Sequence, residues 1–145
     1  MSTPPDPTFT HGSKAELWIG TRDAPTTLQE VSERANNTGL PLERDKADVT
    51  TFKGNFKRYV AGQLDGAMPM EGPFDSWLDE VLFELATSDV SPNFRYRPIG
   101  AGAGKPEYLG KFLVTKYEIS SEASGAATYS GEMQIDGEVT RAIQA

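Results

Sequence analysis

Hydrophobic and polar positions along this chain change period several times, and each change marks an element. Lys14–Ile19 (Lys-Ala-Glu-Leu-Trp-Ile) reads as a first strand stopped by Gly20. Thr27–Ala35 has Leu28 and Val31 at helical spacing, but Pro25 and Asn36-Asn37 flank it as turns, so it reads as a short irregular segment. Gly39–Thr51 alternates weakly and predicts a strand from about Leu40 to Asp48, followed by a long exposed loop with Gly54 and Asn55 at its tip. Gln63–Glu71 alternates Leu64, Gly66, Met68 and Met70 against Asp65, Ala67, Pro69 and Glu71, a strand with one polar face. Pro69 cannot donate to a ladder, so it demands an edge, a bulge or an interruption there.

The period then switches. Phe74, Leu78, Val81, Leu82 and Leu85 recur at i, i+4, i+7, i+8 and i+11, a single apolar stripe that predicts a helix over about 74–87. Asp75 or Ser76 can cap it, and Asp79 and Glu80 suit the positive end of the helix dipole. Phe94–Ile99 reads as a strand, Gly100–Pro106 as a flexible loop, and Tyr108–Ser120 as a long strand with Leu113, Thr115, Tyr117 and Ile119 on one face. Ala127–Asp136 alternates Tyr129, Met133 and Ile135 against polar residues. These last two strands predict an antiparallel pair joined over Ser121–Ala126.

Composition agrees with a β-rich chain. The 145 residues suggest one domain able to bury a core, and 14 Gly with 10 Pro imply many turns. The opening residues, with three prolines in seven, are expected to form a flexible arm over 1–13 ahead of a domain at 14–145. That opening has neither the charged nor the apolar region of a signal peptide, and no apolar run approaches a membrane span.

Charge narrows the function. The net charge of −7 argues against tight nucleic-acid binding, but not against a surface past which DNA slides. The charge comes in blocks. Residues 44–58 carry five basic and two acidic side chains, whereas 59–94 hold seven acids and no Lys or Arg. Residues 95–116 are basic again, and from Tyr117 onward five acids face only Arg141. Alternating blocks suit self-association through opposite faces.

Candidate chemistry is thin. There is no cysteine and one histidine, His11, so neither a thiolate metal site nor a rigidly held catalytic base is available, and no metal or cofactor is expected. Gly100–Lys105 lacks the spacing of a phosphate loop, and Pro106 follows the lysine where Ser or Thr is needed. Asp75, Asp79 and Glu80 read as helix-start electrostatics rather than an acid/base pair. No enzymatic activity is expected. Lys57-Arg58-Tyr59 and Phe94-Arg95-Tyr96-Arg97 could stack on single-stranded nucleic acid, but buried rings beside solvated cations describe them as well.

The order of several motifs carries a resemblance. Glu43-Arg44-Asp45, Asp48-Val49-Thr50-Thr51-Phe52, Arg58-Tyr59, Gly62, Leu64-Asp65-Gly66 and Gly72-Pro73-Phe74-Asp75 follow one another as in tail tube (major tail) proteins of long-tailed, siphovirus-type bacteriophages. Tyr129–Gly137 with Val139-Thr140-Arg141 is similar to the closing strand of that family, and Glu16-Leu17-Trp18-Ile19 fits its opening. Gly100–Pro106 and Pro69 have no counterpart in the pattern.

The resemblance implies a mainly β (α+β) fold: a β-sandwich or split barrel of antiparallel strands, one flanking helix and a protruding loop, here about 49–61. It implies a structural subunit of the virion that forms stacked, hexameric rings as a channel for DNA passage. Expected partners are copies of itself, together with tail tip or initiator, tape-measure and tail terminator proteins. Lys53, Asn55, Lys57, Arg58 and Tyr59 are the candidate ring-stacking residues. Asp65, Glu71, Glu118, Glu132, Gln134 and Asp136 are the candidates to face the lumen. The alternatives are the tube of a contractile injection or secretion system, and a monomeric ligand-binding β-domain with Trp18 and Trp77 exposed.

Overall fold

The computed structural model describes Asp6, Phe9 and residues 11–145. Most of the expected arm therefore lies outside the described residues. Its last residues turn rather than extend: Gly12–Lys14 form one 3-10 turn, in which the Lys14 N–H donates to the His11 carbonyl at 3.0 Å.

Nine strands and one helix follow in the order β1 (Glu16–Ile19), β2 (Gln29–Glu30), β3 (Asn37–Thr38), β4 (Glu43–Asp48), β5 (Tyr59–Asp65), β6 (Ala67–Pro73), α1 (Ser76–Ala86), β7 (Asn93–Arg97), β8 (Pro106–Ser120) and β9 (Thr128–Ile143). Seven strands form one antiparallel sheet in the order β2-β1-β7-β8-β9-β6-β3, and β4 and β5 form a separate two-stranded sheet.

The sheet has to curl. Its edge strands β2 and β3 are separated by residues 31–36 alone. Seven strands about 4.8 Å apart would put the edges of a flat sheet roughly 29 Å apart. The connecting chain spans at most about 25 Å, and less because Ser32–Arg34 make a 3-10 turn. Hydrogen bonds fix this strap to both edges. Val31 N–H donates to Leu17 O at 2.9 Å, and Leu17 N–H to Ser32 Oγ at 2.9 Å. On the far side Asn36 N–H reaches Glu71 O at 2.8 Å, and Tyr129 Oη donates to Arg34 O at 2.5 Å. The result is the expected split barrel, and the segment read as irregular, Thr27–Ala35, supplies edge strand β2 and most of the strap that closes it.

Helix α1 lies against the inner face of the sheet. Leu78, Val81, Leu82 and Leu85 are buried with Leu17, Ile19, Met68, Met70, Phe94, Phe112, Tyr129 and Met133. Asp75 caps the helix by accepting from Leu78 N–H at 2.9 Å, and Arg34 Nε donates to the same carboxylate at 2.9 Å. Phe74 departs from the predicted stripe: it precedes the cap and is exposed. Trp77 is half-buried beneath the Arg34 guanidinium, 4.8 Å from the ring centre.

Three strands differ from the sequence reading, each for a local reason. The strand expected over Gln63–Glu71 breaks at Gly66, where a Cβ would stand 2.0 Å from Pro41 O. Leu64 therefore belongs to β5 and is exposed, while Met68 and Met70 are buried. Strand β8 carries Phe112 and Val114 inward, and a bulge between Val114 and Lys116 restores Tyr117 to the same face. One extra residue reverses the phase of a period-2 pattern, so the predicted row of Leu113, Thr115, Tyr117 and Ile119 does not form. Strand β9 runs on to Ile143 through Gly137, whose φ of +86° suits glycine. Pro69 sits one residue beyond the pairing of β6 with β3, where that side of β6 is an edge, as a missing N–H requires.

Candidate assembly surfaces

Hairpin β4–β5 is the first surface. It pairs only with itself, Glu43 opposite Asp65 at its base and Asp48 opposite Tyr59 near its tip, and every one of its strand residues is exposed. Val49 N–H donates to Arg58 O at 2.8 Å and continues the ladder by one rung. The connection is therefore residues 49–58, shorter than the expected 49–61. Lys53, Asn55, Lys57 and Arg58 lie on it, exposed, whereas Tyr59 is the first residue of β5 with the Lys46 ammonium 4.4 Å from its ring centre. The Asp48 carboxylate accepts from Thr50 N–H at 2.9 Å, and hydrogen bonds from Thr50 hold its pKa below the usual range.

The apolar content of this hairpin is its unusual property. Leu42, Val49, Phe52, Phe56, Tyr59, Val60 and Leu64 are seven of the twelve large hydrophobic residues exposed among the described residues. So many in one projecting segment, on a sheet too small to be stable alone, imply a cover supplied from outside the subunit. Sequence reasoning selected the cations of the loop and passed over Phe52 and Phe56. Their placement beside Gly54 at a turn was the available signal.

The second surface is the sheet face opposite the core. Register fixes its membership. Ser130 stands between Glu71 and Glu118, Glu132 lies opposite Lys116 and Pro69, Gln134 opposite Leu113 and Ala67, and Asp136 opposite Lys111. Their chain neighbours Tyr129, Met133 and Ile135 are buried on the other face. Glu71, Glu118, Glu132, Gln134 and Asp136 are thus brought onto one face. Asp65 joins them from β5, because Gln134 Nε2 donates to its carboxylate and to Gly66 O. Asp136 accepts from Ser91 Oγ at 2.7 Å, and Lys116 approaches Glu118 at 3.9 Å.

The opposite half of that face carries cations, but they are paired. Arg97 bridges Glu16 at 3.3 Å and Glu107 at 3.1 Å, and Arg95 stands 3.6 Å from Glu107. Both guanidinium groups lie 5.8 Å from the Trp18 ring centre. Phe94 is fully buried and Tyr96 packs against the core. The basic-aromatic run 94–97 therefore offers no free rings for base stacking.

A third feature is a free edge. β6 leaves β9 at Ala67 opposite Gln134, while β9 continues paired with β8 alone. Beside that edge, at the base of the hairpin, Leu42, Leu64, Ile135 and Val139 line a groove of about 220 Å³ rimmed by Asp65 and Glu138.

Behind these surfaces, two tyrosines fasten the helix side of the barrel. Tyr117 Oη donates to Asp79 at 2.7 Å, and burial together with that bond pushes its pKa well above the ordinary value. Burial, with the nearby Asp75 charge, pushes Tyr129 up to about 12.

A curled sheet with one inner helix and a detached hairpin is an arrangement shared with known proteins. The model of the phage tail tube protein family matches residues 27–141. The chain belongs to that family. No curated protein sequence matches it. Among solved structures, this tail tube chain is similar to one from the tail of an empty gene transfer agent particle with C6 symmetry. The TM-score is 0.78 at 16% identity, over 94% of this chain and 100% of that one. It is also similar to the SPP1 tail tube, with TM-score 0.71 at 11% identity over 93% and 80% of the two chains. A sheath-tube complex of an extracellular contractile injection system gives 0.65 at 12% identity over 92% and 91%. At such identities the likeness is one of fold.

Proposed function

We propose that copies of this chain close into rings of six and that the rings stack into a tube. The polar sheet face lines the channel, and hairpin β4–β5 joins one ring to the next. The observation that carries this reading is the hairpin: seven exposed large hydrophobic residues on and beside a two-stranded sheet that pairs with no other strand of its own subunit. Membership of the phage tail tube family and the C6 symmetry of the gene transfer agent tail support it.

The channel face suits passage rather than binding. Its carboxylates at Asp65, Glu71, Glu118, Glu132 and Asp136 outnumber Lys111 and Lys116. Phosphates meet repulsion there, and the counterion release that drives DNA binding is absent. The role is structural and non-enzymatic, a reading that membership of the phage tail tube family supports. Terminator, tip and tape-measure proteins are its partners at the tube ends and in the lumen. A terminating cap of similar fold in the anti-feeding prophage supports the first of these.

Negative-stain microscopy and light scattering of the purified chain, with and without phage initiator proteins, test the reading. Rings or tubes are expected. A chain that stays monomeric under every condition overturns it.

A further inference from the structure

The groove at the base of the hairpin and the tip of the same hairpin have complementary chemistry, although each stands alone in the subunit. The groove offers four aliphatic side chains, Leu42, Leu64, Ile135 and Val139. Its rim carries Asp65 and Glu138, and Glu43 sits directly opposite Asp65 in the ladder. Like charges facing each other across a strand pair are unfavourable. Among the described residues, none of these three carboxylates makes an ion pair. The tip offers two exposed aromatics, Phe52 and Phe56, and three exposed cations, Lys53, Lys57 and Arg58, likewise without ion pairs.

We propose that the groove at the base of β4–β5 receives the tip of the same hairpin from a second copy of this chain. This rests on the stacking role proposed above and names its acceptor site. The tip cannot fill the groove of its own subunit. The six residues of β4 at about 3.3 Å each carry it roughly 20 Å from Leu42. Bringing it back would break the β4–β5 ladder. A knob at one end and a socket at the other form a heterologous contact, which repeats without limit when its rotation does not close on itself. Rings are then joined by base-to-tip contacts running along the tube, with aromatic rings against the aliphatic floor and cations against the rim.

Cross-linking reads the direction of this contact, since the chain has no cysteine of its own. In tubes of the chain carrying both Asn55→Cys and Glu138→Cys, a short bis-maleimide is expected to give a covalent ladder with no upper size. Each single variant is expected to give no ladder. Charge reversal supplies a second readout. Lys57→Glu with Arg58→Glu, or Glu43→Lys with Glu138→Lys, is expected to raise the critical concentration for assembly about tenfold or more. All four substitutions together are expected to restore it to within about threefold. Tubes that form without a ladder, a ladder that stops at the size of one ring, or reversals that fail to rescue one another overturn the proposed acceptor. Tube formation by the unsubstituted chain is scored first. Its failure would count against the tube reading itself, separately from the acceptor.

Discussion

Replacing Phe52 and Phe56 together by serine tests the link between fold and assembly most directly. The two residues are 110% and 83% exposed relative to an extended reference, so they contribute almost nothing to the stability of the isolated subunit. The double variant should therefore unfold in urea within about 0.5 kcal/mol of the parent, as surface substitutions generally do. Assembly should respond differently. Burying a phenylalanine side chain contributes about 1.5–3 kcal/mol, so two rings docked on a neighbour contribute roughly 3–6 kcal/mol per hairpin. At 1.4 kcal/mol per factor of ten, this corresponds to about a hundred- to ten-thousandfold in the association constant. Light scattering against protein concentration measures the critical concentration, and circular dichroism in urea measures the subunit. A critical concentration changed by less than about threefold would refute the claim that the tip is an assembly contact. A loss of more than about 1 kcal/mol in urea would show that the tip packs on its own body.

Further outcomes follow from the same structure. Glu118→Lys with Glu132→Lys reverses two charges on the polar face, and assembled tubes of this variant should retain DNA with a steep inverse salt dependence; the parent should retain none by filter binding. Tyr129 has its folded pKa raised to about 12 from an ordinary value near 10. Its contribution is complete below pH 10 and disappears as pH rises from about 10 to 12. Over that window Tyr129 should account for a loss of about 2–3 kcal/mol of stability, and Tyr129→Phe should make that part of the urea–pH profile shallower, the remaining slope coming from Tyr117. Gly66→Ala puts a methyl group 2.0 Å from Pro41 O, inside the backbone of the hairpin base. It should cost about 1–3 kcal/mol in urea and impair assembly, and an unaltered variant would mean that the corner is looser than its geometry implies.

The sequence alone settled the helix and the central antiparallel pair, because both rest on local periodicity. Leu78, Val81, Leu82 and Leu85 can share a face only in a helix, and Tyr129, Met133 and Ile135 only in a strand. It also located the projecting segment and its cations, since Gly54-Asn55 and the basic run 53–58 are local signals. The six polar candidates Asp65, Glu71, Glu118, Glu132, Gln134 and Asp136 could be named from alternation within each strand. That they share one face was decided only by register between strands far apart in the chain. The bulge after Val114 and the break at Gly66 were invisible for the same reason. Each depends on what the other side of the backbone meets, Glu132 across the ladder in one case and Pro41 O in the other. The strap of residues 31–36 shows the limit most plainly. Nothing in its own composition marks it as a closure, because its role comes from the two distant sheet edges that it holds together.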